Sequence, residues 1–265
     1  MDPKRIKYTV LTLFPQIMDA YFSSSIMAKA INRGLVEYNS INIRDFARDK
    51  HKTCDDAPYG GGPGMLMLAE PLGRALEAAG AVKKTLEQSP DKAPYVIYLS
   101  PSGRPFNQEL AGELAQKGEI ILVCGRYEGI DQRIIDTYVD AEISTGDYVL
   151  SSGDAAALVL IDATFRLVEQ VITPQSLEEE SFSRGLLEYP QYTRPEIYDT
   201  IKVPDVLLSG HHENIRRWRL EKQVEKTLSL RPDMIRHGLE KGIFDAETFE
   251  IIQAVRDKHE RDKSN

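Results

Sequence analysis

Apolar positions along the first two-thirds of the chain switch between two patterns. Tyr8-Thr9-Val10-Leu11-Thr12-Leu13-Phe14, Val36 to Phe46, Tyr95-Val96-Ile97-Tyr98-Leu99, Glu119-Ile120-Ile121-Leu122-Val123-Cys124 and Val139 to Ile143 are short apolar or β-branched runs. Such runs predict strands covered on both faces. Between them apolar residues recur at helical spacing. Pro15 opens one helix, at a position where its missing N–H costs nothing, and Gly34 closes it. Further helices are expected over Glu70–Gly80, around Phe106, Leu110 and Leu114, and around Ile130, Ile134 and Tyr138. Ala155–Val168 is apolar nearly all round, which predicts a helix buried on most sides. Alternating strands and helices define an α/β domain with a mainly parallel sheet. The Gly-rich stretch Ala47–Gly64 and the aperiodic stretch Val82–Pro94 read as surface connections.

The pattern changes near Pro174. An acidic run, Glu178-Glu179-Glu180, is followed by Pro190 and Pro195 with no clear period. From Pro204 the signal is helical: Leu220, Val224 and Leu228 form one stripe, Pro232 can start a helix, and Asp245 can cap a last one containing Phe249, Ile252 and Val255. The expected organisation is an α/β domain over residues 1–173, a flexible linker over 174–202 and a small helical domain over 203–265.

Charge changes this picture in one place. The whole chain carries 33 basic and 41 acidic residues, a net of -8, which argues against a general nucleic-acid coat protein. Between His211 and Arg236, however, Arg216, Arg217, Arg219, Lys222, Lys226, Arg231 and Arg236 outnumber Glu213, Glu221, Glu225 and Asp233. Arg44, Arg48, Lys50 and Lys52 likewise outnumber Asp45 and Asp49. Taken alone, each reads as a solvated surface. The two cysteines, Cys54 and Cys124, are too few for a disulfide framework and lack metal-ligand spacing, so a reduced, cytoplasmic setting is expected. No apolar run approaches the ~20 residues of a membrane span, and Met1–Lys7 leads into a strand without a signal-peptide core.

Three loops follow apolar strands: Ser100-Pro101-Ser102-Gly103-Arg104-Pro105, Gly125-Arg126-Tyr127-Glu128-Gly129 and Ser144 to Gly153. Ligands of open parallel sheets bind beyond the strands' carboxyl ends, and glycine there permits close backbone approach. The same residues also make plain turns. No G-x-x-x-x-G-K-[ST] and no strand-following G-x-G-x-x-G is present, which removes P-loop and Rossmann readings. His211 and His212 are adjacent on a helix and cannot share a face as metal ligands. They read as the first turn of a helix capped by Ser209, and no metal site is expected. Trp218 could stack on a base but is better placed to pack against Ile215.

The loops in order carry a resemblance. Y-G-G-G-x-G-M at Tyr59–Met65, L-S-P-x-G-R at Leu99–Arg104, V-C-G-R-Y-E-G-I-D at Val123–Asp131 and S-x-G-D-Y-V-L at Ser144–Leu150 resemble the bacterial tRNA (guanine-N1)-methyltransferase family, TrmD. So do Gln191-Tyr192-Thr193-Arg194-Pro195 and V-P-x-V-L-x-S-G-H-H at Val203–His212. The resemblance implies a SPOUT-class knotted α/β fold, a homodimer with active sites at the subunit interface, S-adenosylmethionine as methyl donor and tRNA as substrate, with no membrane partner. The methylated base would be the guanine 3′ of the anticodon.

The resemblance places the donor against Leu99, Ser100, Pro101, Gly103, Gly125, Tyr127, Glu128, Gly129, Ser144, Thr145, Gly146, Asp147, Tyr148, Val149, Leu150 and Gly153. It places tRNA against Tyr59, Gly60, Gly61, His211, His212, Arg216, Arg217 and Arg219. Guanine's ring nitrogen carries a proton, so the chemistry needs a base there and a cation at the neighbouring oxygen. The resemblance assigns the cation to Arg166, with Mg2+ assisting, and the base to an Asp immediately before Ser-Phe. Here that position is Glu180, on a connection one residue shorter than the family pattern. The extra methylene can restore the reach. Ser151-Ser152-Gly153 also stands where a Gly-Gly pair is usual, followed by Asp154-Ala155-Ala156 without the usual Pro, which implies tuned donor affinity. Two other readings remain open from sequence: a related knotted methyltransferase acting on another RNA, and a tRNA-binding protein with weakened catalysis.

Overall fold

The computed structural model describes residues 5–84, 93–173, 176 and 179–264. The chain divides into two compact units, 1–172 and 173–265.

The first unit is built on five parallel strands in the order β2-β1-β6-β5-β7. They are β1 (Ile6–Thr12), β2 (Val36–Asn42), β5 (Tyr95–Pro105), β6 (Glu119–Cys124) and β7 (Ala141–Ser144). A small antiparallel pair, β3 (Asp55–Asp56) with β4 (Leu66–Met67), lies outside this sheet. The period of two decides which layer each side chain joins. Along β6, Ile120, Leu122 and Cys124 enter one core and Ile121 and Val123 the other. The first core is covered by α1 (Pro15–Phe22), α2 (Ser25–Asn32), α4 (Gln108–Leu114) and α6 (Gly153–Phe165). The second is covered by α3 (Ala69–Ala78) and α5 (Gln132–Tyr138). Burial on both faces explains why the strands read as nearly unbroken apolar runs. Tyr8 reaches across this core, its hydroxyl 2.5 Å from Thr164 Oγ1 on α6.

Several elements depart from the sequence reading. The helix expected from Pro15 to Gly34 is two helices. Ser24 is extended and Ser25 has φ +52°, so the chain turns between α1 and α2. The strand expected through Phe46 stops at Asn42, whose side chain accepts the Arg44 N–H and starts a 3-10 turn over Ile43–Phe46. β5 runs six residues past Leu99, and its register against β7 shifts between Leu99 and Arg104. The first loop is therefore a bulge inside a strand. The helix α6, by contrast, is buried on most sides as expected, and only Ala155, Val159 and Asp162 are exposed along one stripe, with Val159 49% exposed. Residues 85–92 of the Val82–Pro94 connection lie outside the described residues.

The second unit contains α7 (Asp205–Leu208), α8 (His212–Leu230), α9 (Pro232–Lys241) and α10 (Ala246–Ser264), with a short hairpin of β8 (Ile197–Tyr198) and β9 (Ile201–Lys202). Its core joins Val224, Ile235, Ile251, Ile252 and Val255 to Leu186. Leu186 falls in the stretch read as linker, so part of 174–202 is packed within this unit. Thr227 fixes it there, accepting the Leu187 N–H at 2.8 Å. Asp245 caps α10 by accepting the Thr248 N–H at 2.8 Å. On this helix Ile251, Ile252 and Val255 are buried, and Phe249 is 47% exposed. Ser209 does not cap α8. It accepts the His211 N–H across a turn, and His211 itself is the boundary residue. No helix among the described residues is long and apolar enough to cross a membrane.

Leu122, central in β6 and fully buried, tests the parallel core. Leu122→Ala should lower unfolding free energy by about 2–5 kcal/mol, read as a lower urea midpoint at unchanged slope.

Candidate active site

The carboxyl ends of β5, β6 and β7 open into one pocket. Its lining brings together Leu99, Ser100 and Pro101 from the bulge, Gly125 to Gly129 from the loop after β6, and Ser144, Thr145, Gly146, Tyr148, Val149, Leu150 and Gly153 from the loop before α6. Gly103 and Asp147 are not among the lining residues. Tyr98, Ile143 and Ala156 are, though no candidate loop contains them, and so are Arg126, Ser151 and Ser152, which the sequence places in those loops. Tyr98 and Ile143 are strand residues whose buried faces reach the pocket, and only their strand register marks them.

Close backbone approach shapes the walls. A Cβ on Gly103 would lie 2.5 Å from backbone atoms of Glu142 and Ile143, so Gly103 holds the bulge against β7 from behind. A Cβ on Gly125 would lie 2.8 Å from the Tyr98 ring. A Cβ on Gly153 would lie 2.9 Å from Cys124 Cα, where the Gly153 N–H donates to the Gly125 carbonyl at 2.8 Å. Tyr127 holds φ +59°, an uncommon conformation for a non-glycine residue, in the middle of the second loop. The Arg126 guanidinium lies 4.6 Å from the Phe14 ring centroid, a cation–π contact. Burial pushes the Cys124 thiol well above its ordinary range, so it is an inert core group.

The Gly-rich loop joins this wall. The Glu128 N–H donates to the Met65 carbonyl at 3.0 Å and the Met67 N–H to the Gly129 carbonyl at 2.9 Å. The Glu128 side chain occupies the space a Cβ on Gly64 would need. Beyond that anchor Tyr59 is fully exposed, and Gly60 and Gly61 both have positive φ with open space around them.

Arg166 does not line the pocket. It follows α6 as its C-cap, while Gly153 at the other end of the helix does line it. Thirteen residues of helix separate the ends, about 20 Å at ~1.5 Å per residue.

In the second unit, the basic residues expected to face RNA are already paired. Arg216 meets Glu247 through both guanidinium nitrogens, each at 2.8 Å, and Glu213 at 3.2 Å. Arg217 meets Glu221 at 3.3 Å. Arg219 lies 4.7 Å from the Tyr189 ring centroid and 3.5 Å from Glu179, and its buried Nε has no hydrogen-bond partner among the described residues. Tyr189 donates to Glu179 at 2.5 Å. Burial, with that carboxylate beside it, pushes the Tyr189 hydroxyl up to about 12. His211 and His212 are both exposed. Trp218 meets Tyr192, their ring centroids 6.4 Å apart.

Beside Glu179, the segment around Glu180 forms a tight turn. Ser183 Oγ donates to the Glu180 carbonyl at 2.6 Å, Ser181 Oγ accepts the Glu188 N–H at 3.0 Å, and Phe182 has φ +77°. Among the described residues no three His, Cys, Asp or Glu side chains converge as a metal cage. The donor set thus gives no preformed fit for Mg2+, and no step below runs through one.

A parallel sheet with a glycine-walled pocket at its strand ends defines a small-ligand-binding α/β protein. A family model described as tRNA (Guanine-1)-methyltransferase TrmD matches residues 6–237. A tRNA (guanine-N(1)-)-methyltransferase of Treponema denticola is 56% identical over 248 residues, covering 94% of this chain and 98% of that protein. Proteins of the same name from Treponema pallidum and Borreliella burgdorferi are 59% and 57% identical, covering 85% and 89% of this chain and 86% and 95% of their own. The chain belongs to the TrmD family of tRNA (guanine-1)-methyltransferases.

Gly103→Ala should lower the melting temperature and weaken S-adenosylhomocysteine binding, because backbone of β7 cannot yield. Gly112→Ala on α4, where a Cβ meets nothing within 4 Å, should change neither. Thermal melts and calorimetric titration of both variants check this.

Proposed function

We propose that this chain methylates the N1 position of the guanine 3′ of the anticodon in tRNA, with S-adenosylmethionine held in the pocket beyond β5, β6 and β7. The observation that carries the reading is the convergence of Leu99–Pro101, Gly125–Gly129 and Ser144–Leu150 on one pocket at the strand ends. Apolar faces of Leu99, Ile143 and Ala156 suit a flat adenine ring, and main-chain groups of the loops suit its edge and the ribose. When bound, S-adenosylmethionine supplies a methyl group on a cationic sulfur and leaves as the neutral thioether.

The protein's own residues handle the proton and the charge. Glu180 accepts the N1 proton, so that the ring nitrogen's electron pair can attack. Arg166 donates to the guanine carbonyl oxygen as negative charge builds there. Glu180 takes the proton because it stands immediately before Ser181-Phe182, the position at which the family pattern carries its carboxylate base. The family's Asp is replaced by Glu, and the tight Ser181–Ser183 turn sets where that longer side chain starts.

The active form is a homodimer, and α6 is the argument. Its two ends are about 20 Å apart, far beyond an arginine's reach, so Arg166 serves a pocket other than its own chain's. Ala155, Val159, Asp162 and Arg166 fall on one stripe, beside a groove lined by Gln108, Leu158, Ala163 and Leu167. A second copy covering this stripe would bury Val159 and bring its own Arg166 toward the first copy's pocket. The parallel order β2-β1-β6-β5-β7 supports a knotted SPOUT fold. Free, buried Cys54 and Cys124 suit a reducing cytoplasm. Tyr59, Gly60 and Gly61 at the loop tip, and His211, His212, Arg216, Arg217 and Arg219, contact tRNA. Exposed ion pairs are worth only ~0–1 kcal/mol, so phosphates can displace their carboxylates.

Methyl transfer from labelled S-adenosylmethionine to an unmodified tRNA transcript, beside one with the target guanine changed to adenine, tests the activity. Label is expected in the first alone, and label in neither overturns it. Glu180→Ala should lose about 100-fold or more in rate while Glu179→Ala keeps most activity. The reverse would move the base by one residue. Val159→Glu should shift the sedimenting species from dimer to monomer and abolish transfer.

A further inference from the structure

Asp154, the second residue of α6, is 4% exposed, yet nothing above uses it. No ion pair to it is present among the described residues. Thr12, the last residue of β1, donates its hydroxyl to Asp154 Oδ1 at 2.5 Å, and the same oxygen of Thr12 accepts the Phe14 N–H at 2.9 Å. The Cys124 thiol, at the end of β6, lies near the same carboxylate, and burial together with that negative charge pushes it up. A carboxyl group so buried needs neutral donors and a helix N-terminus in place of water. Asp154 has the Thr12 hydroxyl and the first turn of α6, and so ties the end of β1 to the start of that helix.

What these elements support is the pocket. Cys124 precedes Gly125, and Asp154 follows Gly153. The Gly153 N–H donates to the Gly125 carbonyl, and Arg126 bridges Ser152. Phe14, held through Thr12, carries the Arg126 guanidinium on its ring. Gly125, Arg126, Ser152 and Gly153 line the pocket and Asp154 does not. The carboxylate thus stands directly behind the wall.

We propose that Asp154 is a positioning residue for the methyl donor: by tying Thr12 to the start of α6, it fixes the wall made by Gly125 and Gly153 and so sets donor affinity without touching the donor. This rests on the reading that the pocket binds S-adenosylmethionine. Displacing such a wall by ~1 Å costs binding geometry more than it costs fold.

The test is calorimetric titration of S-adenosylhomocysteine into the full-length protein, with steady-state kinetics in donor and in tRNA. Asp154→Ala should weaken binding about ten-fold and raise the donor KM in step, with the tRNA KM within two-fold of wild type. Thr12→Val, which removes one donor and keeps the shape, should weaken binding in the same direction by less. Should Asp154→Ala fail to fold, Thr12→Val decides. A donor affinity unchanged in the folded variant, or a fall in kcat with both KM values unmoved, overturns the proposal. Wild-type protein that does not bind S-adenosylhomocysteine overturns the pocket reading itself, and this inference with it.

Discussion

The site depends on one backbone contact, the approach of Gly153 to the end of β6. Only a residue without a Cβ allows α6 to start here, because a Cβ at position 153 would lie 2.9 Å from Cys124 Cα. That start fixes the direction of the helix across the sheet, its packing against Tyr8 through Thr164, and the position of its far end. The same contact closes the pocket wall through the Gly153–Gly125 hydrogen bond. Ligand geometry and the exposed Val159 stripe are thus two results of a single steric allowance. A side chain at position 153 would disturb both together.

The pocket works by crowding main chain, and little of its wall is charged. Gly103, Gly125 and Gly153 each stand where a Cβ would strike backbone or an aromatic ring. Such a site is rigid because its neighbours are strands and a helix start, and it is neutral enough to hold a flat ring. The second unit is built on the opposite principle. Several of its surface arginines and lysines are paired with carboxylates, and its small core is closed by Leu186 and the Thr227 hydrogen bond to Leu187.

Much of this could be read from the chain. Parallel strands buried on both faces leave unbroken apolar runs, so β1, β2, β5, β6 and β7 were all visible, with ends off by a few residues. The loops after β5 and β6 and before α6 stood out through glycine and their place after strands. Single residues were harder. A turn at Ser24–Ser25 leaves no sequence mark when both flanks have helical spacing. The β5 bulge looked like a loop, because Ser, Pro and Gly signal a turn whether or not pairing resumes beyond it. Asp154 was invisible as a tether, since an acid opening an apolar helix reads as a solvated first turn. The partner of Arg216 is Glu247, 31 residues away, and no local pattern predicts it.

Those paired arginines carry a further consequence for how the protein senses ionic strength. A free arginine that binds a phosphate lets condensed cations leave the nucleic acid, and the affinity then falls steeply with salt. An arginine already held by a carboxylate exchanges one anion for another, and the abandoned Glu247, Glu213 or Glu221 gathers cations from solution. Part of the entropy gained at the nucleic acid is returned at the protein. On the proposed tRNA contact, association through this helix would therefore fall less steeply with salt than its number of arginines suggests, and would favour partners whose shape matches over those that merely carry negative charge.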